Sequence, residues 1–385
     1  MRKDSLPFHR ASIGEEEING VVDSLRSGWI TTGPKTKRFE DEFAIRVDGK
    51  YAVAVNSCTA AMHLALAAVG IKEGDEVIVP VLTFTATAEV VTYFKAVPVF
   101  VDCDCETLLI DIADLERKIT PKTRAIMPVH YAGQACDIDM IIEIAKKHDL
   151  KIIWDAAHAF PTNYKGKNIG AFPDIVCFSF YATKTLATGE GGMAVTDNKE
   201  YADKMRILSL HGMNKDAWNR YSKEGSWYYE IVAPGYKYNL TDVASSLGLA
   251  QLARTDELLE KRKKIATRYR TAFEGLEELM PLVELSYGES AWHLFVIKLN
   301  LKKLSIDRGQ FIEELKIRNI GSSVHFIPLH LHPYWKETYN LKESHFPVAS
   351  AVYRQIVSLP IFPDMSEADV SDVIEAVMDI IGKNQ

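Results

Sequence analysis

The 385-residue sequence has little cysteine, no excess of basic residues and no long apolar run. Its net charge of −7 is unlike the basic stripe that nucleic-acid partners favour, so we expect no nucleic-acid partner. No uninterrupted apolar stretch reaches the roughly 20 residues of a membrane span, and the N-terminal residues contain no signal-peptide core. We therefore expect a cytoplasmic protein that does not attach to membranes.

The cysteines are odd in number, and several lie in apolar runs, which predicts reduced and mostly buried thiols. They are Cys58, Cys103, Cys105, Cys136 and Cys177. One residue separates Cys103 from Cys105, whereas a C-x-x-C redox pair has two between its thiols. The "CDC" stretch is therefore predicted to be a strand-to-loop turn with buried thiols.

Seven short apolar runs alternate with helical patterns in the first 250 residues, and they predict an α/β fold with a mainly parallel sheet. The runs are 51–55, 76–80, 97–101, 125–129, 151–154, 174–178 and 192–196. Residues 240–275 predict one long helix or two, which Asn239 or Thr241 can cap, and Val243, Leu247 and Ala250 share an apolar face. We predict a large α/β domain over 1–250 and a small C-terminal α+β domain over 251–385.

Lys184 lies in "FSFYATKTLATGEGGMAV", just after a predicted buried strand. A lysine taken alone is most simply a solvated loop residue. The carboxyl ends of parallel strands, however, are where α/β proteins place ligands, and nearby glycines permit close backbone approach. Lys184 is therefore a candidate for a residue that projects into a crevice.

Asp155 ends another predicted strand, in "KIIWDAAHAF", and His158 follows it. An acid among small residues at a strand end needs a positive partner or hydrogen bonds, and a protonated pyridine nitrogen is one such partner. The simpler interpretations are a structural acid that caps the next helix for Asp155 and a packed helix histidine for His158.

Two further stretches complete a possible cofactor site. In "VNSCTAAMHLAL", hydroxyl and small residues precede a helix, whose N-terminal N–H groups can bind a phosphate, although a plain N-cap explains them too. In "PVLTFTATAEVV", Phe84 follows a strand and can stack on a planar ring, although core packing is the simpler role. Together the four stretches describe a pyridoxal 5′-phosphate (PLP) site.

The sequence resembles the DegT–StrS sugar aminotransferases, PLP enzymes of fold type I that aminate nucleotide-linked keto sugars. The matching stretches are "GWITTGPKTKRFEDEFA", "VNSCTAAMHLAL", "WDAAHAF", "SFYATKTLATGEGGM", "GYKYNLTDVASSLGLAQL", "SSVHFIPLH" and "SLPIFPDMSEADV". They run in order over residues 28–370. The resemblance implies a seven-stranded mainly parallel sheet and a PLP-dependent aminotransferase for cell-envelope or secondary-metabolite polysaccharides.

The resemblance also implies the chemistry of individual residues toward the cofactor. Lys184 forms the Schiff base, Asp155 pairs with the protonated pyridine nitrogen, and His158 lies near the phenolic oxygen. Phe84 stacks on the ring. The family uses L-glutamate as its usual amino donor.

Phosphate binding is implied for the Ser57 turn, the backbone of Thr59 and Ala60, and the Ser179 hydroxyl. Asn239 is implied to reach the phosphate of the neighbouring subunit, so the active sites need a homodimer. Residues implied to face the sugar nucleotide are Thr31, Thr32, Tyr181, His325 and His330.

The matching stretches do not all indicate the same branch of the family. Residues 211–221, 233–240 and 290–299 resemble the enzymes that make UDP-4-amino-4-deoxy-L-arabinose, whereas "VHFIPLHLHPYW" is more similar to relatives that aminate 4-keto-6-deoxy or acetamido sugars. Tyr181 stands where histidine is common in the family, which bears on substrate fit. A UDP- or dTDP-linked 4-keto sugar is expected, with amination at C4 or at C3.

Two other classes of function compete with this one. His325, His330 and His332 suggest a metal enzyme, but their spacing is not that of a helical metal site and no carboxylate motif accompanies them, so we predict no metal. A non-catalytic PLP-binding regulator on the same fold is the second alternative. Retention of Lys184 together with Asp155 and Ser179 favours the enzyme.

Overall fold

The computed structural model describes residues 2–214 and 228–385. Residues 215–221 of the stretch 211–221, which served to compare branches of the family, lie outside the described residues. The strands are β1 (Tyr51–Val55), β2 (Glu76–Pro80), β3 (Val97–Val101), β4 (Thr123–Ile126), β5 (Lys151–Asp155), β6 (Asn163–Tyr164), β7 (Lys167–Asn168), β8 (Ile175–Ser179), β9 (Gly192–Thr196), β10 (Leu279–Pro281), β11 (Phe295–Leu299) and β12 (Ile356–Leu359).

The helices lie between and after these strands. They are α1 (Glu15–Ser27), α2 (Pro34–Arg46), α3 (Cys58–Val69), α4 (Thr85–Thr92), α5 (Ile112–Arg117), α6 (Ile138–His148), α7 (Lys199–Ser209), α8 (Asp242–Ala253), α9 (Thr255–Ala272), α10 (Arg308–Ile317), α11 (Pro333–Thr338), α12 (Pro347–Tyr353) and α13 (Glu367–Lys383). None of them combines the length and the apolar character that crossing a membrane requires.

The seven predicted apolar runs form one seven-stranded sheet in the order β1-β9-β8-β5-β4-β2-β3. Pairing is parallel except at β9, which runs antiparallel to both β1 and β8. The fold prediction is therefore confirmed. Since β1, β5 and β8 point the same way, their carboxyl ends meet at one edge of the sheet, and β9 begins there.

Helix α3 illustrates how the sequence sets the elements beside this edge. Ser57 precedes it with extended backbone, and its hydroxyl accepts the Ala60 N–H, as an N-cap does. Gly70 ends it in the left-handed conformation at φ 86°, which a residue without a Cβ adopts at little cost. Most of its side chains are buried, so the start of α3 is held firmly against the sheet edge.

A second apolar core lies around the three-stranded antiparallel sheet β10-β11-β12, with side chains from α9, α10 and α13. Leu6 packs in this core, and its backbone pairs with Asn319 and Gly321. Conversely, Leu329 and Trp335 pack in the core of the large sheet. Residues from both terminal parts of the chain thus contribute to both cores. The predicted domain division at residue 250 stays a prediction.

The region predicted as one helix or two forms two, α8 and α9, and Thr241 caps α8 by accepting the Ala244 N–H. On α8 the apolar residues Val243 and Leu247 are only half-buried, whereas Asp242 is 1% exposed. The Asp242 carboxylate accepts N–H bonds from Gly33 and other residues at the start of α2. Capping of another helix therefore explains why α8 buries a polar side chain.

The cysteine predictions are mostly confirmed, because all five thiols are free and four of them are buried. Cys105 is exposed, so the prediction that both thiols of "CDC" are buried was wrong. The reason is local: Cys103 is buried where it pairs with Ile110, whereas Cys105 follows in the exposed turn.

Candidate active site

A cavity of about 490 Å³ opens at the carboxyl edge of the large sheet. This volume falls within the roughly 300–1,000 Å³ that is usual for small-molecule sites. The predicted site residues among those that line it are Ser57, Thr59, Phe84, Asp155, His158, Ser179, Tyr181, Lys184 and His325. Strand ends that are far apart in the sequence therefore supply one cavity, as the parallel topology requires.

Lys184 lies in the turn after β8, where its N–H donates to the Tyr181 carbonyl. Its side chain borders the cavity and is half-buried by surface area, yet protein encloses the cavity closely enough that burial lowers the lysine pKa to about 8. The nearby Cys58 and Asp155 oppose this by raising the pKa. At pH 7 about a tenth of such a lysine is neutral, against about 0.03% at the ordinary pKa of 10.5. A solvated loop position is excluded.

Asp155 ends β5 and is 4% exposed. Its carboxylate accepts one bond from the Thr87 hydroxyl (2.8 Å) and one from the Ala157 N–H (3.0 Å). Burial raises the pKa of Asp155, and these two bonds together with the Lys184 charge oppose the rise. Both hydrogen-bond donors are neutral and a carboxylate accepts more than two bonds, so the carboxylate retains capacity for a cationic N–H donor. Ala157 lies in a turn and not in a helix, so the interpretation of Asp155 as a cap of the next helix was wrong.

His158 lies in a turn after β5 and not in a helix, so the packed helix histidine is excluded. Its Nδ1 accepts the Ala132 N–H (3.3 Å), which assigns the proton of the neutral ring to Nε2. Burial lowers the His158 pKa well below its usual range, and the charge of Lys184 adds to this. The ring stacks on Phe326 with centroids 5.6 Å apart and contacts His293 at 4.4 Å.

The predicted phosphate site is a backbone turn against a strand start. The first N–H groups of a helix lack intrahelical partners and favour anions, and Ser57 and Thr59 line the cavity with Ser179 from the end of β8. A Cβ on Gly192 would lie 2.5 Å from the Cys58 nitrogen, so only glycine lets β9 begin this close to the helix.

The structure places Ala60 differently from the prediction. Its N–H donates to the Ser57 hydroxyl (3.1 Å), as in an ordinary N-cap, and Ala60 is not among the residues that line the cavity. Phe84, by contrast, is 58% exposed at the cavity and lies 5.9 Å from the Phe326 ring, so core packing does not explain it.

Asn239, Thr31 and Thr32 are also absent from the lining of this cavity. They lie together at the carboxyl end of β1, where Asn239 pairs with Val55 and its Nδ2 donates to Thr32 Oγ1 (2.6 Å). Thr32 in turn donates to the Leu240 carbonyl, and the exposed Thr31 accepts the Asp242 N–H. These residues therefore form a cluster beside the cavity of their own subunit, not inside it.

His330 was predicted to face the sugar nucleotide, but it does not line the cavity. It is 1% exposed, its Nε2 bonds the Ser350 hydroxyl at 2.8 Å, and its ring lies against Phe346. His325 instead lines the cavity, with Nδ1 bonded to Ser358 at 2.9 Å. In residues 2–214 and 228–385 no three His, Cys, Asp or Glu side chains come together as a metal site.

Sequence reasoning missed Thr87, His293 and Phe326. Thr87 lies in the threonine-rich stretch that we used only for Phe84, and its hydroxyl also bonds Thr83 at 2.7 Å. A threonine four positions after another, next to a proposed ring stacker, was a usable signal. His293 and Phe326 reach the cavity from the C-terminal third of the chain. Both lie in stretches that resemble the family, 290–299 and "SSVHFIPLH", but neither was singled out there.

Comparison with known proteins gives the same picture at the level of the whole chain. The family model described as DegT/DnrJ/EryC1/StrS aminotransferase matches residues 11–378. The spore coat polysaccharide biosynthesis protein SpsC of Bacillus subtilis is 52% identical over 381 residues, which cover 99% of this chain and 98% of SpsC.

Two solved structures are similar in fold over almost their entire lengths. Spr1654 from Streptococcus pneumoniae, described as a sugar aminotransferase and solved in its PMP form, has a TM-score of 0.92 at 38% identity, covering 98% of this chain and 99% of Spr1654. Helicobacter pylori PseC, an aminotransferase involved in pseudaminic acid biosynthesis, has a TM-score of 0.92 at 27% identity, covering 99% of this chain and 100% of PseC.

Proposed function

This chain belongs to the DegT/DnrJ/EryC1/StrS aminotransferase family, and from that premise we propose that it transfers an amino group from L-glutamate to the keto group of a nucleotide-linked sugar. It is a sugar aminotransferase, and PLP is its cofactor. The interpretation as a non-catalytic regulator is therefore excluded. The amino donor, the nucleotide and the sugar are parts of our proposal. The observation that supports it best is one cavity that brings together Lys184, Asp155 and the turn at Ser57.

The described residues fit the cofactor. When bound, PLP supplies a carbon that binds amines covalently and a ring that takes up negative charge when a C–H bond breaks. Lys184 is the proposed covalent attachment, and the buried Asp155 carboxylate, with neutral donors only, is the proposed acceptor for the ring-nitrogen proton. The start of α3 with Ser179 is proposed to hold the phosphate.

Lys184 has a second proposed task, since burial brings its pKa near the working pH. A neutral amine is the nucleophile and the general base that amine exchange and proton transfer need, and catalysis by a positioned base is most effective when its pKa is close to the ambient pH. The Nζ atom would take a proton from the substrate carbon and return it at a neighbouring position.

The sugar nucleotide is proposed to enter along the open side of the cavity. Tyr181 is 47% exposed there, and Phe84 is exposed beside it, so both are available to a ligand. SpsC acts in spore coat polysaccharide biosynthesis and PseC in pseudaminic acid biosynthesis, which supports an activated envelope or surface sugar as substrate. A UDP- or dTDP-linked 4-keto sugar aminated at C4 stays our first choice; C3 amination is the alternative.

A screen of UDP-, dTDP- and GDP-linked keto sugars with L-glutamate tests this function. We expect one class of keto sugar to gain about 1 Da as the carbonyl oxygen is replaced by an amine, and about 2 Da with ¹⁵N-glutamate. Mass spectrometry reads the gain, and NMR of the product assigns C3 or C4. Conversion without glutamate, or equal conversion by Lys184→Ala, would contradict the proposal.

We propose a homodimer with shared active sites. The cluster of Asn239 with Thr32 is oriented beside its own cavity without lining it, and Val243 and Leu247 leave apolar surface half-exposed on the adjacent α8. A second copy that covers this face would bring Asn239 toward the phosphate site of its partner. The cytoplasmic location stays a prediction.

Hybrid dimers test the sharing. We expect Lys184→Ala and Asn239→Ala homodimers each to lose at least about 10-fold of the activity. Doubly tagged hybrids of the two should regain about half of the wild-type rate, because one of their two sites contains both native residues. Hybrids no more active than the two parents would show that Asn239 acts within its own subunit.

A further inference from the structure

Arg262 on α9 is a buried cation without an acidic partner. Its side chain is 1% exposed, and no carboxylate pairs with it in the part of the chain that the structure describes. Nη1 donates to the carbonyls of Ile361 (2.9 Å), Trp292 (3.1 Å) and, at the limit, His293 (3.5 Å), while the buried Nε has no partner. Burying a guanidinium in this way is costly, so stability of the core alone does not explain it.

The segment 291–294, whose carbonyls accept hydrogen bonds from Arg262, contains a residue in an unfavourable backbone conformation. Trp292 has φ of 48°, in the left-handed region that non-glycine residues avoid. On its other side the same segment bonds the turn at 131–133: the Ala291 N–H donates to Gly133 (3.0 Å) and the Leu294 N–H to Ala132 (3.3 Å). Arg262 and the turn at 131–133 therefore form hydrogen bonds with two sides of the segment 291–294.

The turn at 131–133 reaches His158 directly. Ala132 is itself left-handed at φ 57°, and in that conformation its N–H donates to His158 Nδ1. Gly133 is required beside it, because a Cβ there would lie 3.0 Å from the Trp292 nitrogen. The position of the donor to His158 thus depends on residues 291–294, which Arg262 fixes.

The same segment also supplies the second contact to His158. The His293 ring lies 4.4 Å from the His158 ring, and Phe326 stacks on His158 at 5.6 Å. The titratable groups around His158 are Lys184, His293, His325 and Tyr131, whose ring centroid lies 6.2 Å from that of His158. Arg262 acts on His293. Burial keeps both imidazoles neutral, so hydrogen bonds, and not charge, decide where the proton of His158 resides.

We infer that Arg262 is a positioning residue: through the backbone of 291–294 and the turn at 131–133 it fixes His158 as the tautomer with its proton on Nε2. The inference rests on the proposed function, in which His158 donates that proton in a hydrogen bond to the cofactor's phenolic oxygen. Such a bond favours the form in which this oxygen alone has the negative charge. Loss of Arg262 should therefore weaken the bond without removing any group that touches the ligand.

Arg262→Met, which keeps apolar bulk and removes the donors, tests this in two ways. In cofactor-free protein with ¹⁵N-labelled histidine, we expect wild-type His158 to show Nδ1 unprotonated, and the variant to show a mixture of tautomers. In cofactor-loaded protein, we expect the pH midpoint of the absorbance change of the cofactor to rise by about one pH unit. kcat should fall about 10-fold or more with a small change in KM for the sugar, and Arg262→Lys should restore part of each effect.

Arg318→Met is the matched control, because Arg318 is 8% exposed but bonds Glu314 and Asp379 away from the cavity. It should lower thermal stability and leave the tautomer and the midpoint unchanged. His293→Asn breaks the ring contact without touching Arg262 and should shift the midpoint in the same direction. If Arg262→Met does not fold, Arg262→Lys decides: a partial shift of tautomer and midpoint would support the inference, and wild-type values of both would overturn it.

A wild-type tautomer and midpoint in Arg262→Met, or an equal shift in Arg318→Met, would overturn the inference. The tautomer in cofactor-free protein does not depend on turnover. A tautomer shift in an enzyme that aminates no keto sugar would therefore refute the proposed substrate and still support the positioning role.

Discussion

Replacing Lys184 by alanine should abolish turnover and leave the fold intact. The only lysine among the residues described as lining the cavity would be lost, and with it the covalent attachment and the base that moves the proton. Each of these contributes by orders of magnitude, so we expect kcat to fall about 10⁴-fold or more. The fold should persist because the turn at Lys184 is held by its backbone bond to Tyr181.

Spectra and labelling measure this outcome. Wild-type protein with PLP should absorb at about 400–430 nm, and borohydride should fix the cofactor to the peptide that contains Lys184. Lys184→Ala should bind PLP without that fixation. Lys118→Ala is the control, since Lys118 is a half-buried lysine that bonds the Phe100 carbonyl outside the cavity. Fixation at another lysine would refute the assignment.

The low pKa of Lys184 predicts that the stability of the cofactor-free protein depends on pH. The folded pKa of Lys184, about 8, lies below its ordinary value of 10.5. Between these values the unfolded chain binds more protons, so the stability of the wild type rises with pH across that range. Lys184→Met removes the buried ammonium, so it should melt higher than wild type at pH 7, and the difference should shrink toward pH 10.5. A constant difference would contradict the low pKa.

The sheet and the centre of the site follow from local patterns. Short runs that are apolar at most successive positions define β1, β2, β3 and β9 to the residue, because strands buried on both faces need mainly apolar side chains. Because β5 and β8 are neighbouring parallel strands, Asp155 at the end of β5 and Lys184 just after β8 lie at the same edge of the sheet. Their proximity in space was therefore predictable although 29 positions separate them.

The walls of the cavity were not predictable in the same way. Phe326 and His293 contact His158 from residues more than 130 positions later, and their places depend on how the second core packs against the first. His330 shows the converse: its motif was found, but its side chain bonds Ser350 in the interior. A motif gives residue types and order, whereas the direction of a side chain in an irregular segment depends on the tertiary packing.

Replacing Asp155 by alanine should be the second most damaging change. The carboxylate is buried, and its two hydrogen-bond donors are neutral, so a cationic ring nitrogen would be its strongest partner. Without the carboxylate that nitrogen loses its proton, and the ring no longer stabilises negative charge. Breaking a buried charge pair costs several kcal/mol, so kcat should fall roughly 10³-fold while Lys184 still forms its covalent link.

The reaction should need the negative charge of the Asp155 side chain. Asp155→Asn keeps nearly the same shape without the charge, so it should be nearly as slow as Asp155→Ala. Loading Asp155→Ala with N-methylated PLP, whose ring nitrogen is permanently charged, should restore a measurable part of kcat. Asp102→Asn is the matched control: Asp102 is 7% exposed and caps α12 through the N–H groups of Val348 and Ala349. It should lower the melting temperature and spare turnover. Failure of the N-methylated cofactor to restore activity, in a variant that still binds it covalently, would show that Asp155 acts by positioning Thr87 and Ala157 and not by holding a proton on the ring.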